Sequence, residues 1–237
     1  MYINFGPQLG SIASRKSLIL IVTSVASIGY IAYQRLNKAP TASDIASKAL
    51  PAMAVELAKA SAGFVLIAGD SHAASLRLPC ATVNVAVNGL KARDVRRHLS
   101  NLPFPIEPVA VLLIAGTNDL RRKHRPLDGI EMWATEMRQA IGNFRRVVVT
   151  AVPPIGASQI AAFDPDGVQI YSHRLETMCS EIGCTYIDPW KSARAKPFGK
   201  AKDGFLVDDV HLADYGPAAR ELAPLLCPQA TAAARKR

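Results

Sequence analysis

Ile67-Ala68-Gly69-Asp70-Ser71-His72 is the stretch whose reading decides the fold: an apolar run that stops at a sharp turn. Residues 64–68 carry no polar side chain, the pattern of a strand covered on both faces of a parallel sheet. Such a strand delivers Ser71 to the carboxyl rim of the sheet, where open α/β folds bind their ligands. A serine hydroxyl at that rim is a weak nucleophile on its own. It needs a base, an acid that orients the base, and donors for an oxyanion.

Outward from this strand, short apolar runs alternate with amphipathic stretches. Residues 82–87, 109–115 and 146–152 read as further buried strands, with 185–187 as a weaker fifth. Residues 90–102, 127–144 and 158–182 read as helices, and 212–226 as a closing helix. Strand and helix in alternation predict a three-layer α/β/α domain, a flavodoxin-like doubly wound parallel sheet of about five strands. No internal repeat and no G-x-G-x-x-G follows a strand, so a dinucleotide site has no support.

Four stretches fall at strand ends or helix starts. Gly69-Asp70-Ser71 is the first, and alone it reads as an ordinary helix cap. Asn84-Val85-Ala86-Val87-Asn88-Gly89 is the second; its end is a turn dipeptide. Gly116-Thr117-Asn118-Asp119 is the third, after the most apolar strand, where an asparagine side chain can aim an N–H at the rim. Asp208-Asp209-Val210-His211 is the fourth. Three-residue spacing on a turn lets the Asp208 carboxylate reach the Nδ1 side of His211 and leaves Nε2 free to act as a base.

In this order and spacing, over about residues 63–226, the four stretches resemble the blocks of the SGNH, or GDSL, hydrolase family. The resemblance implies that Ser71 is the nucleophile, that the N–H of Ser71, the N–H of Gly89 and the side chain of Asn118 form the oxyanion hole, and that Asp208 and His211 complete a triad. The second block lacks an earlier glycine that many members carry, and Asp209 stands where glycine is common, which leaves Asp209 as a rival to Asp208. His72 reads as a pocket-wall or turn residue rather than the base.

The expected activity is hydrolysis of carboxylic esters through an acyl-enzyme, without metal or organic cofactor. Acyl transfer to another hydroxyl uses the same groups, and a membrane-anchored binding module with an idle site is a further alternative. Asp70-Ser71-His72 is also a D-x-H, which in dinuclear metallophosphoesterases supplies metal ligands, but Gly116-Thr117-Asn118-Asp119 offers no histidine to match it.

The chain of 237 residues, 49% of them apolar, is long enough for one domain with a full core and an appendage. Residues 17–33 are uncharged and flanked by Arg15-Lys16 and Arg35, near the minimum length of a membrane-spanning helix. The expected organisation is an N-terminal segment (1–16), a transmembrane signal anchor (17–33), an alanine-rich connector broken by Pro40 and Pro51 (34–62), the hydrolase domain (63–226) and a basic tail (227–237). A formal charge of +9 without a nucleic-acid motif points to a membrane surface or solvated faces, not to nucleic acid. The expected partners are a small-molecule, glycan or lipid ester and the membrane, with the domain on the extracytoplasmic, periplasmic side. Arg121-Arg122-Lys123-His124-Arg125 reads as a solvated loop, Trp133 and Trp190 as packing residues, and the four cysteines as single core thiols, their even count permitting disulfides if the domain faces an oxidising compartment.

Overall fold

The computed structural model describes residues 39–228 apart from residue 125. The expected transmembrane anchor, residues 17–33, lies outside the described residues, and among those described no helix is long and apolar enough to cross a membrane. Helix α1 (Ala42–Lys59) leads into strand β1 (Val65–Gly69), the one-turn helix α2 (Ser71–Ser75) and strand β2 (Thr82–Asn84). Helix α3 (Ala92–Ser100), β3 (Ala110–Ile114), α4 (Pro126–Ile141), β4 (Val147–Thr150), α5 (Pro165–Ile182), β5 (Thr185–Ile187) and α6 (Gly216–Leu226) complete the order. The five strands form one sheet in the order β2-β1-β3-β4-β5, every neighbouring pair parallel.

Period-two alternation splits each central strand between two cores. Leu66, Ala68, Val111 and Leu113 face α1, α3, α4 and α5, with Leu57, Leu99, Met137 and Met178 packed against them. Val65, Ile67, Leu112 and Ile114 face α2 and α6, with Trp190, Leu222 and Leu226 opposite. Both faces of β1 and β3 are thus sealed, which is why these strands read as unbroken apolar runs. Trp190 is fully buried and donates its indole N–H to the Ala151 carbonyl at 2.7 Å, so both tryptophans pack as expected.

Several elements are shorter than in the sequence reading, strand β2 ending at Asn84 rather than at Val87, and three larger differences have local causes. The connector that Pro51 was expected to break is continuous helix from residue 42 to 59, opened by a Thr41–Asp44 capping box. Buried Ala46 and Leu57 anchor it to the first core, and that packing offsets the hydrogen bond a mid-helix proline forfeits. Helix α5 begins at Pro165, because Asp164 caps it with bonds from the N–H groups of Asp166 and Gly167. Helix α6 begins at Gly216, because Leu212 pairs with Leu206 across an antiparallel bridge instead.

The cysteines are also paired, contrary to the thiol reading. Cys80 bonds to Cys227, 147 residues away, and Cys179 to Cys184 across the end of α5. The first bridge fastens the end of α6 to the loop before β2. A spacing of 147 residues carries no sequence signal for such a partner.

Candidate active site

The site sits at the carboxyl ends of β1, β2 and β3. Gly69 ends β1 at φ 138°, and a Cβ there would lie 1.7 Å from the Ile114 carbonyl oxygen, so only glycine allows β1 and β3 to close up at the rim. Asp70 then donates its N–H to Ile114 and caps α2 by accepting the His72 N–H at 3.0 Å. Ser71 is the first residue of α2 and is half-buried. Asn84 holds α2 from the β2 side, its amide donating to the Ala73 carbonyl at 2.9 Å.

Ser71 Oγ lies 2.7 Å from His211 Nε2, and His211 Nδ1 lies 2.7 Å from Asp208 Oδ2. The other Asp208 oxygen accepts the N–H groups of His211 at 2.7 Å and Val210 at 3.1 Å. Burial is the largest single influence on the Asp208 carboxyl and raises it, but the bonds from His211 and Val210 together with the nearby imidazole outweigh it and hold the group at about 2. Asp209 sits at φ 60° and turns away. Its carboxylate accepts the Ser158 N–H at 2.9 Å and its carbonyl accepts the Gly156 N–H at 2.8 Å, which pins the turn carrying Asp208 and His211 to the loop after β4. The ambiguity between the two aspartates is therefore resolved by geometry in favour of Asp208 as the partner of His211.

The oxyanion candidates converge on the same rim. Backbone bonds from Val85 to Ile67 and from Val87 to Gly69 carry the segment after β2 alongside β1, and Gly89 follows at φ 84°. The Asn118 amide donates to the Leu90 carbonyl at 3.2 Å, tying the loop after β3 to the residue next to Gly89 and leaving its second N–H uncommitted among the described residues. Asp119 accepts the Ala92 N–H at 3.0 Å and so fixes the start of α3 to the same loop.

His72 is not a pocket wall. Its ring is buried, bonds through Nδ1 to the Tyr215 hydroxyl at 3.0 Å, and stands 5.3 Å from the His211 ring. Burial, with His211 nearby, pushes it down to about 3, so it is neutral at working pH. The Asp70 carboxyl faces the other way, where Thr117, Asp119 and Tyr171 gather, and burial lifts both Asp70 and Asp119 to about 7. The two side chains of the D-x-H thus point to opposite faces of the sheet and do not converge on one ion. Tyr215 behind His72 and Asn84 behind α2 were not singled out for these supporting roles from sequence; neither lies in a motif whose spacing reveals its partner.

A sequence model of the GDSL-like lipase/acylhydrolase family matches residues 53–219. A comparison with curated proteins finds no significant match. Among solved structures, a GDSL-like lipase from Bacteroides thetaiotaomicron is similar at a TM-score of 0.58 and 14% identity, over 74% of this chain and 94% of that one. A lipase/acylhydrolase from Enterococcus faecalis reaches 0.56 and 17%, over 71% and 99%. An acetyl xylan esterase from Geobacillus stearothermophilus, solved as a single-residue variant, reaches 0.51 and 17%, over 70% and 94%. At these identities the likeness is one of fold.

Proposed function

The chain belongs to the GDSL-like lipase/acylhydrolase family, and on that premise we propose that it hydrolyses carboxylic esters with Ser71 as nucleophile, His211 as base and Asp208 as the residue that orients it. The carrying observation is the unbroken relay from Ser71 Oγ through His211 to Asp208, each link 2.7 Å long. As Ser71 Oγ bonds to the ester carbonyl carbon, its proton passes to His211 Nε2 and the carbonyl electrons move onto the oxygen. The N–H groups of Ser71 and Gly89 and the Asn118 amide hold that oxyanion. Collapse expels the alkoxide, which takes the proton from His211. Water then attacks the acyl-enzyme, gives a proton to His211, and the carboxylic acid leaves as Ser71 regains its proton.

The proposal extends to place. With the uncharged segment 17–33 as anchor, the domain works at a membrane on the extracytoplasmic side, and two disulfides support an oxidising compartment.

The test is hydrolysis of p-nitrophenyl acetate by the full chain and by Ser71→Ala. Turnover that falls at least about 10³-fold in the variant is expected. A variant within tenfold of the parent would overturn the assignment.

A further inference from the structure

Behind the Ser71–His211 pair lies a buried polar contact that the proposed chemistry does not use. Tyr215, the residue before α6, places its hydroxyl 3.0 Å from His72 Nδ1. The Leu212 N–H bonds to the same phenol oxygen. That oxygen therefore accepts from the backbone and turns its own proton toward the histidine. Nδ1 accepts it, and the ring proton of His72 sits on Nε2, which has no partner among the described residues. Burial holds Tyr215 up at about 12 and His72 down at about 3, so both are neutral while His211 works. An imidazolium at 72, with its ring centre 5.3 Å from that of His211, would oppose the charge the base must take up.

The contact joins the two elements whose separation sets the relay. His72 follows Ser71 on the one-turn helix α2, whereas His211 stands at the tip of a hairpin. In that hairpin Leu206 bridges to Leu212, Val207 donates its N–H to the His211 carbonyl at 2.9 Å, and Ala213 donates to that of Phe205 at 3.0 Å. Asp208 belongs to the same tip. It orients the His211 ring but leaves the hairpin free to move as a body relative to α2. Among the described residues, the hydrogen bonds that cross from α2 to the segment 205–215 are the reacting contact itself and those at the Tyr215 hydroxyl, which the Ser75 side chain also reaches.

The crossing is backed by a rigid wall. Trp190 packs on both rings, with centroids 6.2 Å from His72 and 6.4 Å from Tyr215, and its indole N–H is fixed to the Ala151 carbonyl just after β4. An apolar side chain at 72 would cost less to bury than an imidazole, and it would leave the Tyr215 proton without an acceptor.

Resting on the hydrolase reading above, we propose that His72 and Tyr215 are positioning residues, their bond a strut that holds α2 at a fixed distance from the hairpin and keeps Ser71 Oγ aligned with His211 Nε2. Neither side chain touches the ester. The strut acts on the proton transfer by fixing where its two atoms stand.

The test is a double-mutant cycle on the full chain with p-nitrophenyl acetate. Tyr215→Phe removes one oxygen and keeps the ring against Trp190. It should lower kcat about 10- to 100-fold, the scale of a misplacement of about 1 Å, with KM changed less than about threefold. His72→Asn keeps an acceptor where Nδ1 stands and should retain at least about tenfold more kcat than His72→Leu. In the His72→Leu background, Tyr215→Phe should change kcat less than about threefold, because its partner is already gone. A Tyr215→Phe kcat within about threefold of the parent, or the same loss in both backgrounds, would overturn the proposal. If the parent turns over no ester, the hydrolase reading fails by itself; in that case, or if Tyr215→Phe does not fold, imidazole ¹⁵N spectra of the parent decide the strut. A His72 ring that is neutral at about pH 5 with its proton on Nε2 supports it, and a ring that titrates like free histidine, near about 6.5, overturns it.

Discussion

Replacing Asp208 by asparagine removes one charge and one acceptor, and the structure says which loss matters. The Asp208 side chain is 54% exposed, so a charge–charge contribution is screened and small. The acceptor count is decisive. One carboxylate oxygen accepts two backbone N–H groups, at 2.7 and 3.1 Å, and the other accepts the imidazole at 2.7 Å. Asparagine has a single oxygen, and the two backbone donors hold it. Its NH₂ then faces His211 Nδ1, which must accept, and the ring proton moves to Nε2, the nitrogen beside Ser71. The base is occupied. Rotating the amide to restore the tautomer strands two backbone donors at about 1–3 kcal/mol each. A penalty of about 4–5.5 kcal/mol corresponds to a fall in kcat of about 10³–10⁴, the scale known for this tautomer error in serine triads. Steady-state hydrolysis of p-nitrophenyl acetate measures it, with Asp209→Asn, which keeps the left-handed turn and a Ser158 acceptor, expected to lose less than tenfold. Asp208→Asn retaining a tenth of the parent kcat, or Asp209→Asn losing as much as Asp208→Asn, would refute the reasoning.

Asn118→Ala should lower kcat about 10²–10³-fold with KM little changed, as loss of one oxyanion donor does; a change confined to KM in the same assay would remove Asn118 from that role. Cys80→Ser/Cys227→Ser should cost about 5 kcal/mol of unfolding free energy and Cys179→Ser/Cys184→Ser about 2 kcal/mol, because the loops they close differ so much in length. Urea melts of the two variants measure the difference, and equal losses would contradict it. His72, held at about 3 when folded, is neutral while the unfolded chain protonates it, so its share of stability is present above about pH 6.5 and lost as pH falls toward 3. Melts from pH 7 to pH 4 should show His72→Gln losing less stability on acidification than the parent; parallel curves would count against it. Asp70 runs the opposite way: the unfolded chain ionises from about pH 4 while the folded carboxyl keeps its proton up to about 7, so the parent loses stability across that window and Asp70→Asn should gain on it as pH rises from 4 to 8, by up to about 4 kcal/mol. No pH dependence in that difference would sink the burial argument.

The sheet was legible because it is sealed on both faces: β1 and β3 have no solvent-facing position, so their apolar runs are unbroken and their ends easy to see. Ser71 and Asn118 could be singled out because each follows such a run, Gly89 because it ends a turn dipeptide, and His211 because it stands three residues after Asp208. What sequence hid was set by partners far along the chain. Helix α1 looked like a linker because its proline argues against helix locally, while the burial of Leu57 that rescues it is a tertiary fact. The pairing of Cys80 with Cys227, and of His72 with Tyr215 across 143 positions, depends on where α6 docks. The choice between Asp208 and Asp209 rested on spacing alone until the Ser158 and Gly156 donors were seen to claim Asp209.

Two aspartates lie near His211, and the same substitution should act on them in opposite ways. At 208 both oxygens are engaged by donors and the group stands at about 2, so it is ionised whenever the base works. On the proposed mechanism its main task is to hold the tautomer of His211, with a small screened attraction to the imidazolium formed as Ser71 gives up its proton. At 70 one oxygen takes the His72 N–H, while the second has no donor among the described residues, and burial lifts the group to about 7. An asparagine fits there as it stands, with its oxygen on the helix cap and no charge left to bury. Environments that push two carboxyls apart in this manner mark a division of labour. One is held charged beside His211 by the donors around it; the other holds the turn that carries Ser71 through its cap bond, a task that needs an oxygen and no charge.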